Sequence, residues 1–154
     1  MRLWRATPLC VGVLLSGGVF PAGAQRAHIG PQAGYNFDLN RALVGAHLLL
    51  PVGRAVEFYP AFDYYFVDAG SLIDLSGDVK FRLPTGGPSV LYFGAGIDFL
   101  RAAAGGSADT DTGWNFLFGL ESRIGLTHPF IEGRVLNHSG SAFQVGAGLN
   151  LTLF

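Results

Sequence analysis

The chain has almost no cysteine: Cys10 is the single one in 154 residues, so no intrachain disulfide can brace the fold. Charge is scarce too. Asp, Glu, Lys and Arg make up 14% of the residues, and the basic ones form no tract able to neutralise a run of phosphates, which excludes nucleic acid as a partner. Long apolar runs are also missing. The longest, residues 9–20, contains Gly12, Gly17 and Gly18 and meets Pro21, so it falls short of the roughly 20 residues a membrane helix needs. What the chain has instead is 23 Gly, 13 Phe and 5 Tyr, an odd mixture for a soluble domain of this size.

The apolar run reads as a leader. Arg2 and Arg5 precede it, and Ala22, Gly23 and Ala24 supply the small residues required before a cut, so residues 1–24 are expected to be a Sec-type signal peptide cleaved ahead of Gln25. Cys10 lacks a lipobox around it and would leave with the leader. About 130 residues remain, enough for one domain over 25–154. Arg2 and Arg5 go with the leader and no acid does, leaving eight basic against eleven acidic residues, a net charge of about −3 with His neutral.

Beyond the leader, apolar residues alternate with small or polar ones, the period-two signature of strands. In the closing segment 141–154, Phe143, Val145, Ala147, Leu149, Leu151 and Leu153 form one row, and Gln144, Gly146, Gly148, Asn150 and Thr152 the other. Segment 89–100 sets Leu91, Phe93, Ala95, Ile97 and Phe99 against Tyr92, Gly94, Gly96 and Asp98. Segment 113–124 sets Trp114, Phe116, Phe118 and Leu120 against Asn115, Gly119, Glu121 and Arg123. Five more segments, 28–38, 42–50, 55–67, 75–83 and 130–137, follow the same rule less cleanly. Leu43 and Leu49 blur the inner row of 42–50, and Pro31 and Pro60 each cost a ladder bond unless placed at an edge or bulge.

Eight segments of roughly 9–12 residues suit strands crossing a bilayer at a tilt. The compact turns, 51–54, 84–88 and 125–129, alternate with the longer connections 67–74 and 101–112, and 102–112 reads as a flexible polar loop. Short turns on one side and longer ones on the other are the asymmetry of a membrane barrel. The expected fold is therefore all-β, a closed eight-stranded antiparallel up-and-down transmembrane β-barrel.

The leader, the Gly-rich segment 91–99, the run 129–135 and the aromatic terminus Phe154 together resemble the small eight-stranded outer-membrane β-barrel superfamily of Gram-negative bacteria, the porin-like and surface-protein barrels. The resemblance implies residence in the cell outer membrane among its lipids. It also implies recognition by the barrel-assembly machinery through the last strand, from Ser141 to Phe154. In that superfamily the terminal aromatic ends the apolar row. Here Thr152, Asn150 and Gly148 lie in register with Phe154, whereas the apolar row ends at Leu153. A monomer without cofactor is expected.

The inner rows place Glu57, Asp63, Asp78, Asp98, Glu121 and Glu132 in the lumen with Lys80, Arg82, Arg123, Arg134 and His47. Eight strands enclose a space just wide enough for side chains, so these groups must pair with one another or with trapped water, and a plugged polar interior follows. Glu121, Arg123, Glu132 and Arg134 are expected to form one network, because neighbouring strands carry them at matching spacing. A narrow pore is the lesser possibility. Esterase chemistry lacks support: His138 and Ser139 are adjacent, so on a strand they would point to opposite faces, and no Asp or Glu follows Glu132. His28, His47, His128 and His138 are scattered over four segments, and Asp109 with Asp111 in a loop would hold calcium loosely at best. Tyr35, Tyr64, Phe66, Trp114 and Phe116 read as an interfacial belt. The competing class is a soluble periplasmic or secreted lipocalin-like barrel, which requires the apolar rows to face inward around an apolar ligand.

Overall fold

The computed structural model describes residues 26–153; the expected signal peptide and Phe154 lie outside the described residues. Eight strands follow one another: β1 (His28–Asn36), β2 (Arg41–Pro51), β3 (Val56–Tyr65), β4 (Ser71–Pro84), β5 (Ser89–Ala104), β6 (Ser107–Ser122), β7 (Thr127–Asn137) and β8 (Ser141–Thr152). Each pairs antiparallel with the next, and β8 returns to β1, so the sheet is a closed barrel. The closing seam runs from His28 opposite Thr152 to Asn36 opposite Gln144. It is extended at both ends by Leu153 N donating to Ala27 O at 2.8 Å and Phe37 N donating to Phe143 O at 2.9 Å. Closure leaves no sheet edge at the seam.

Following cross-strand partners round the wall from Val56 through Phe81, Phe93, Phe118, Gly133, Val145, Tyr35 and Ala42 leads back to β3 at Phe66, ten residues above the start. A stagger of that size over eight strands fixes a tilt of about 40° and a backbone radius of about 8 Å. Ten residues at that tilt rise about 25 Å.

The rows fall as the alternation requires. Leu91, Phe93, Ile97 and Phe99 of β5 and Trp114, Phe116, Phe118 and Leu120 of β6 are exposed on the outside, while Tyr92, Asp98, Asn115 and Glu121 are buried within. Both prolines sit in unbulged strands, where the pairing keeps one register on either side of an interruption. Pro60 faces a gap in the β2–β3 ladder while β3–β4 pairing continues through it, and Pro31 faces a gap in the β1–β8 ladder while β1–β2 pairing continues. Each missing N–H thus costs one side of one ladder and no change of register.

Two sequence expectations need correction. Residues 102–112 are no flexible loop: β5 and β6 continue as a paired hairpin to Ala104 opposite Ser107, turning through Gly105 and Gly106 at φ of 59° and 85°. Positive φ at both central residues is the turn that matches strand twist, and glycine adopts it without strain. β4 likewise starts at Ser71 and not at 75, pairing with β5 from Ser71 opposite Ala103. The hairpin end that carries these extensions is called distal, and the end with both chain termini is called terminal.

Glycine in the inner rows makes room. A Cβ on Gly96 would lie 2.1 Å from Asp78 Oδ1 and 2.3 Å from Gly77 O, whereas one on Gly87, in the β4–β5 turn, would meet nothing within 4 Å. Gly96→Ala is expected to destabilise the barrel by about 1–3 kcal/mol through overpacking, and Gly87→Ala to leave it unchanged, read as urea midpoints of refolded protein.

Candidate functional site

Buried charged and polar side chains meet one another across the lumen. Near the terminal end, Arg82 Nη1 faces Glu57 Oε1 at 3.1 Å and Arg82 Nη2 donates to Arg54 O at 3.1 Å. Beside them Arg123 Nε faces Glu121 Oε1 at 3.0 Å, and Asn150 Nδ2 donates to Glu121 Oε2 at 3.2 Å. His28 and His128, distant in sequence, meet here with ring centres 5.2 Å apart. Among the described residues no group of three or more His, Cys, Asp or Glu is placed to hold a metal ion.

At mid-height the lumen carries its tightest cluster. Lys80 Nζ lies 2.9 Å from Glu132 Oε2 and 3.2 Å from the centre of the Tyr59 ring, with the Tyr92 ring at 4.3 Å. Arg134 reaches Asp78 Oδ2 at 3.0 Å, Glu132 Oε1 at 3.2 Å and Ser76 Oγ at 2.9 Å. All of these charged groups are buried. Removing water from an ion costs several kcal/mol, so the cations are held by carboxylates, hydroxyl and ring faces acting together.

A relay of amides continues the packing. His47 Nε2 stands 2.7 Å from Asn150 Oδ1 and His47 Nδ1 3.0 Å from Gln32 Oε1; Tyr59 donates to the same Gln32 oxygen at 2.9 Å, and Gln32 Nε2 donates to Asp63 Oδ1 at 2.6 Å. Higher up, Tyr65 donates to Gln144 Oε1 at 2.7 Å and Asn115 Nδ2 to Asp98 Oδ1 at 3.4 Å. His138 Nε2 contacts Asp98 Oδ2 directly, tying the β7–β8 turn to β5. Gly113 clears the way for it, since a Cβ there would lie 2.8 Å from His138 Cδ2.

The expected grouping of Glu121, Arg123, Glu132 and Arg134 is split. Glu121 and Arg123 join Asn150 near the terminal end, and Glu132 and Arg134 join Lys80 and Asp78 of β4. Each pair is two residues apart on its own strand, and in a lumen this narrow long side chains reach across to a distant strand. The sequence reading nominated charges alone. It therefore missed the binding partners Gln32, Ser76, Asn115, Gln144 and Asn150, which share the same inner rows and are marked only by parity. It also missed that Asp98 supplies a carboxylate to His138, which lies in a turn and not on a strand.

Outside, the wall is apolar and ringed with aromatics. Near the distal end Tyr35 and Phe37 meet edge-on at 5.2 Å, Phe37 stacks on Phe143 at 6.0 Å, and Tyr64 with Phe66 and Trp114 with Phe116 make edge contacts. Charge inside and large apolar residues outside is the reverse of a soluble binder.

This is the fold of the eight-stranded barrels of Gram-negative outer membranes. The N-terminal β-barrel domain of Pseudomonas aeruginosa OprF superposes with a TM-score of 0.67 at 17% identity, over 82% of this chain and 96% of that one. Neisserial surface protein A superposes with a TM-score of 0.62 at 13% identity, over 83% and 95%. A de novo designed transmembrane β-barrel gives 0.61 at 14% identity, over 83% and 95%. No protein-family model matches the sequence, and no curated protein matches it. The shared feature is architecture.

Arg134→Met leaves Asp78 and Glu132 facing each other's charge in a dry lumen and is expected to cost about 3–5 kcal/mol. Arg41, whose 2.5 Å pair with Asp68 is exposed at the distal rim, is expected to tolerate Ala with no measurable change. Urea unfolding of the refolded variants checks both.

Proposed function

We propose that residues 25–154 are an outer-membrane β-barrel with a plugged lumen, serving a structural or surface-interaction role and catalysing no reaction. In this reading residues 1–24 direct export through the Sec route and are removed. Segment 141–154 is read by the barrel-assembly machinery, and the mature barrel sits in the outer membrane as a monomer.

The observation that carries the proposal is the inverted distribution of polarity. Ile97, Phe116, Phe118 and Ile131 are more than half exposed on the outer wall, and Asp78, Asp98, Lys80 and Arg134 are buried within it. A soluble monomer rarely exposes a contiguous apolar patch beyond a few hundred Å². Here exposed apolar residues recur on the outer row of every strand, from Leu91 to Phe99 on β5 and from Trp114 to Leu120 on β6, as in the lipid-facing band of such proteins. Chain termini at one end and the extended β5–β6 hairpin at the other support an orientation with the termini on the periplasmic side and the hairpin outside.

The charged pairs that cross the lumen support the plug. The gap beside Gln32, Glu132, Arg134 and Gln144 amounts to about 10 Å³, room for about one water molecule and none for a hydrated ion in transit. The lipocalin-like alternative fits least, because its apolar ligand would have to displace charged pairs.

Fractionation of expressing cells, with gel migration of unheated against boiled samples, tests the placement. The protein is expected in the outer membrane with heat-modifiable migration; recovery wholly from the soluble periplasm would overturn the proposal. Planar bilayers containing the refolded protein are expected to stay at baseline current, and discrete conductance steps would refute the plug.

A further inference from the structure

Closure removes the edges of the wall, but the β5–β6 hairpin rises past it. β6 is paired with β5 along its whole length, from Ser122 opposite Ser89 to Ser107 opposite Ala104, whereas its pairing with β7 begins only at Trp114 opposite Asn137. Residues 107–113 therefore have a neighbouring strand on one side alone. β7 has ended by then: His138, the next residue, turns to Asp98 in the lumen. Ala108, Asp109, Thr110 and Thr112 are exposed. Among the described residues this is the longest stretch of strand with one side open.

The register fixes which backbone groups are left over. A two-residue hairpin turn makes the flanking pair, Ala104 and Ser107, bond to each other through both N–H and C=O, and such pairs recur at every second residue. Odd-numbered residues of β6 thus bond to β5; Arg123 N, donating to Pro88 O at 2.7 Å just past the strand's end, keeps the same parity. The N–H and C=O of Ala108, Thr110 and Thr112 point to the open side. There the Asp109 carboxylate accepts from Thr110 N at 3.0 Å, standing where the carbonyl of a further strand would stand. An open run of this kind is a template for another strand.

Side-chain charge decides the occupant. Thr110 and Thr112 share the outer row with Trp114, and Asp109 and Asp111 lie on the opposite face. A second copy of the edge is disfavoured. Laid antiparallel with Thr110 against Thr110, the two copies set Asp109 opposite Asp111 twice, and sliding them two residues either way sets Asp109 or Asp111 against itself. Like charges directly opposite destabilise a strand pair. A partner with Lys or Arg at those places makes ion pairs instead, at the closer, non-hydrogen-bonded positions of the ladder. Arg101 of the same hairpin lies opposite Thr110, in the row of Phe99, and so stands on the other face from both acids.

We propose that the β6 edge over residues 107–112 takes up an extended basic segment of another protein as an added antiparallel strand, with Lys or Arg at alternate positions opposite Asp109 and Asp111. The uncharged residues between them bond to the backbone of Ala108, Thr110 and Thr112. Asp109 releases Thr110 N to a partner carbonyl and takes a partner cation in exchange. That the partner comes from outside the cell rests on the placement proposed above; the pairing itself does not.

Fluorescence anisotropy of labelled acetyl-Thr-Lys-Val-Lys-Val-Thr-amide, titrated with the refolded protein in detergent, tests the pairing. Saturable binding is expected, and none for the peptide with Glu in place of Lys. Methylation of the two valine amides, whose N–H groups face β6, is expected to abolish binding, and methylation of the two lysine amides, which face away, to preserve it. Thr110→Pro removes an N–H that β5 does not use, so it is expected to lose the peptide while keeping heat-modifiable migration, which separates loss of the edge from loss of the barrel. Asp109→Asn with Asp111→Asn is expected to weaken binding about tenfold. No binding by protein that migrates as a folded barrel, equal binding of the Glu peptide, or binding unaltered by Thr110→Pro would overturn the proposal. Sedimentation showing a dimer that Thr110→Pro dissolves would give the edge to a second copy and overturn it too.

Discussion

The seam between β1 and β8 is the constraint on which the rest depends. Until Asn36 meets Gln144 and His28 meets Thr152, the sheet has two open edges and no defined radius. Once they meet, stagger and strand number set the radius at about 8 Å, and every inward side chain must share what that leaves. The glycines of the inner rows and the layering of the lumen follow from the same limit. Gly96 makes way for Asp78, Gly45 for Asp63 and Gly113 for His138.

Charges inside so narrow a space stabilise the barrel only as a set. An apolar plug of the same volume would avoid the desolvation of Lys80, Arg134, Asp78 and Glu132, so the cluster is better understood as fixing one packing arrangement than as a source of net stability. Lys80 illustrates this: carboxylate on one side and the rings of Tyr59 and Tyr92 on the other leave its ammonium one position.

Strands β5, β6 and β8 were legible in the sequence because both of their rows are uniform, one large and apolar, the other small or polar. The top of the β5–β6 hairpin was not. Residues 102–112 are Ala, Gly, Ser, Asp and Thr on both faces, so no contrast marks a period, and pairing there rests on backbone bonds and the Gly105–Gly106 turn. Which charges face inward follows from parity alone. Their partners do not: Lys80 with Glu132 and Arg134 with Asp78 join β4 to β7, and His47 with Asn150 joins β2 to β8, contacts set by the diameter of the closed barrel.

In the proposed placement the row bearing Phe93, Phe116 and Phe118 faces lipid. Trp114, on that row near the distal aromatic ring, is the single tryptophan of residues 25–154. Quenching of its fluorescence by brominated lipids, after refolding of 25–154 into vesicles, tests the claim most directly. Strong quenching is predicted, greater with bromines near the headgroups than near the bilayer centre. Emission insensitive to brominated lipid but quenched by aqueous iodide would contradict it.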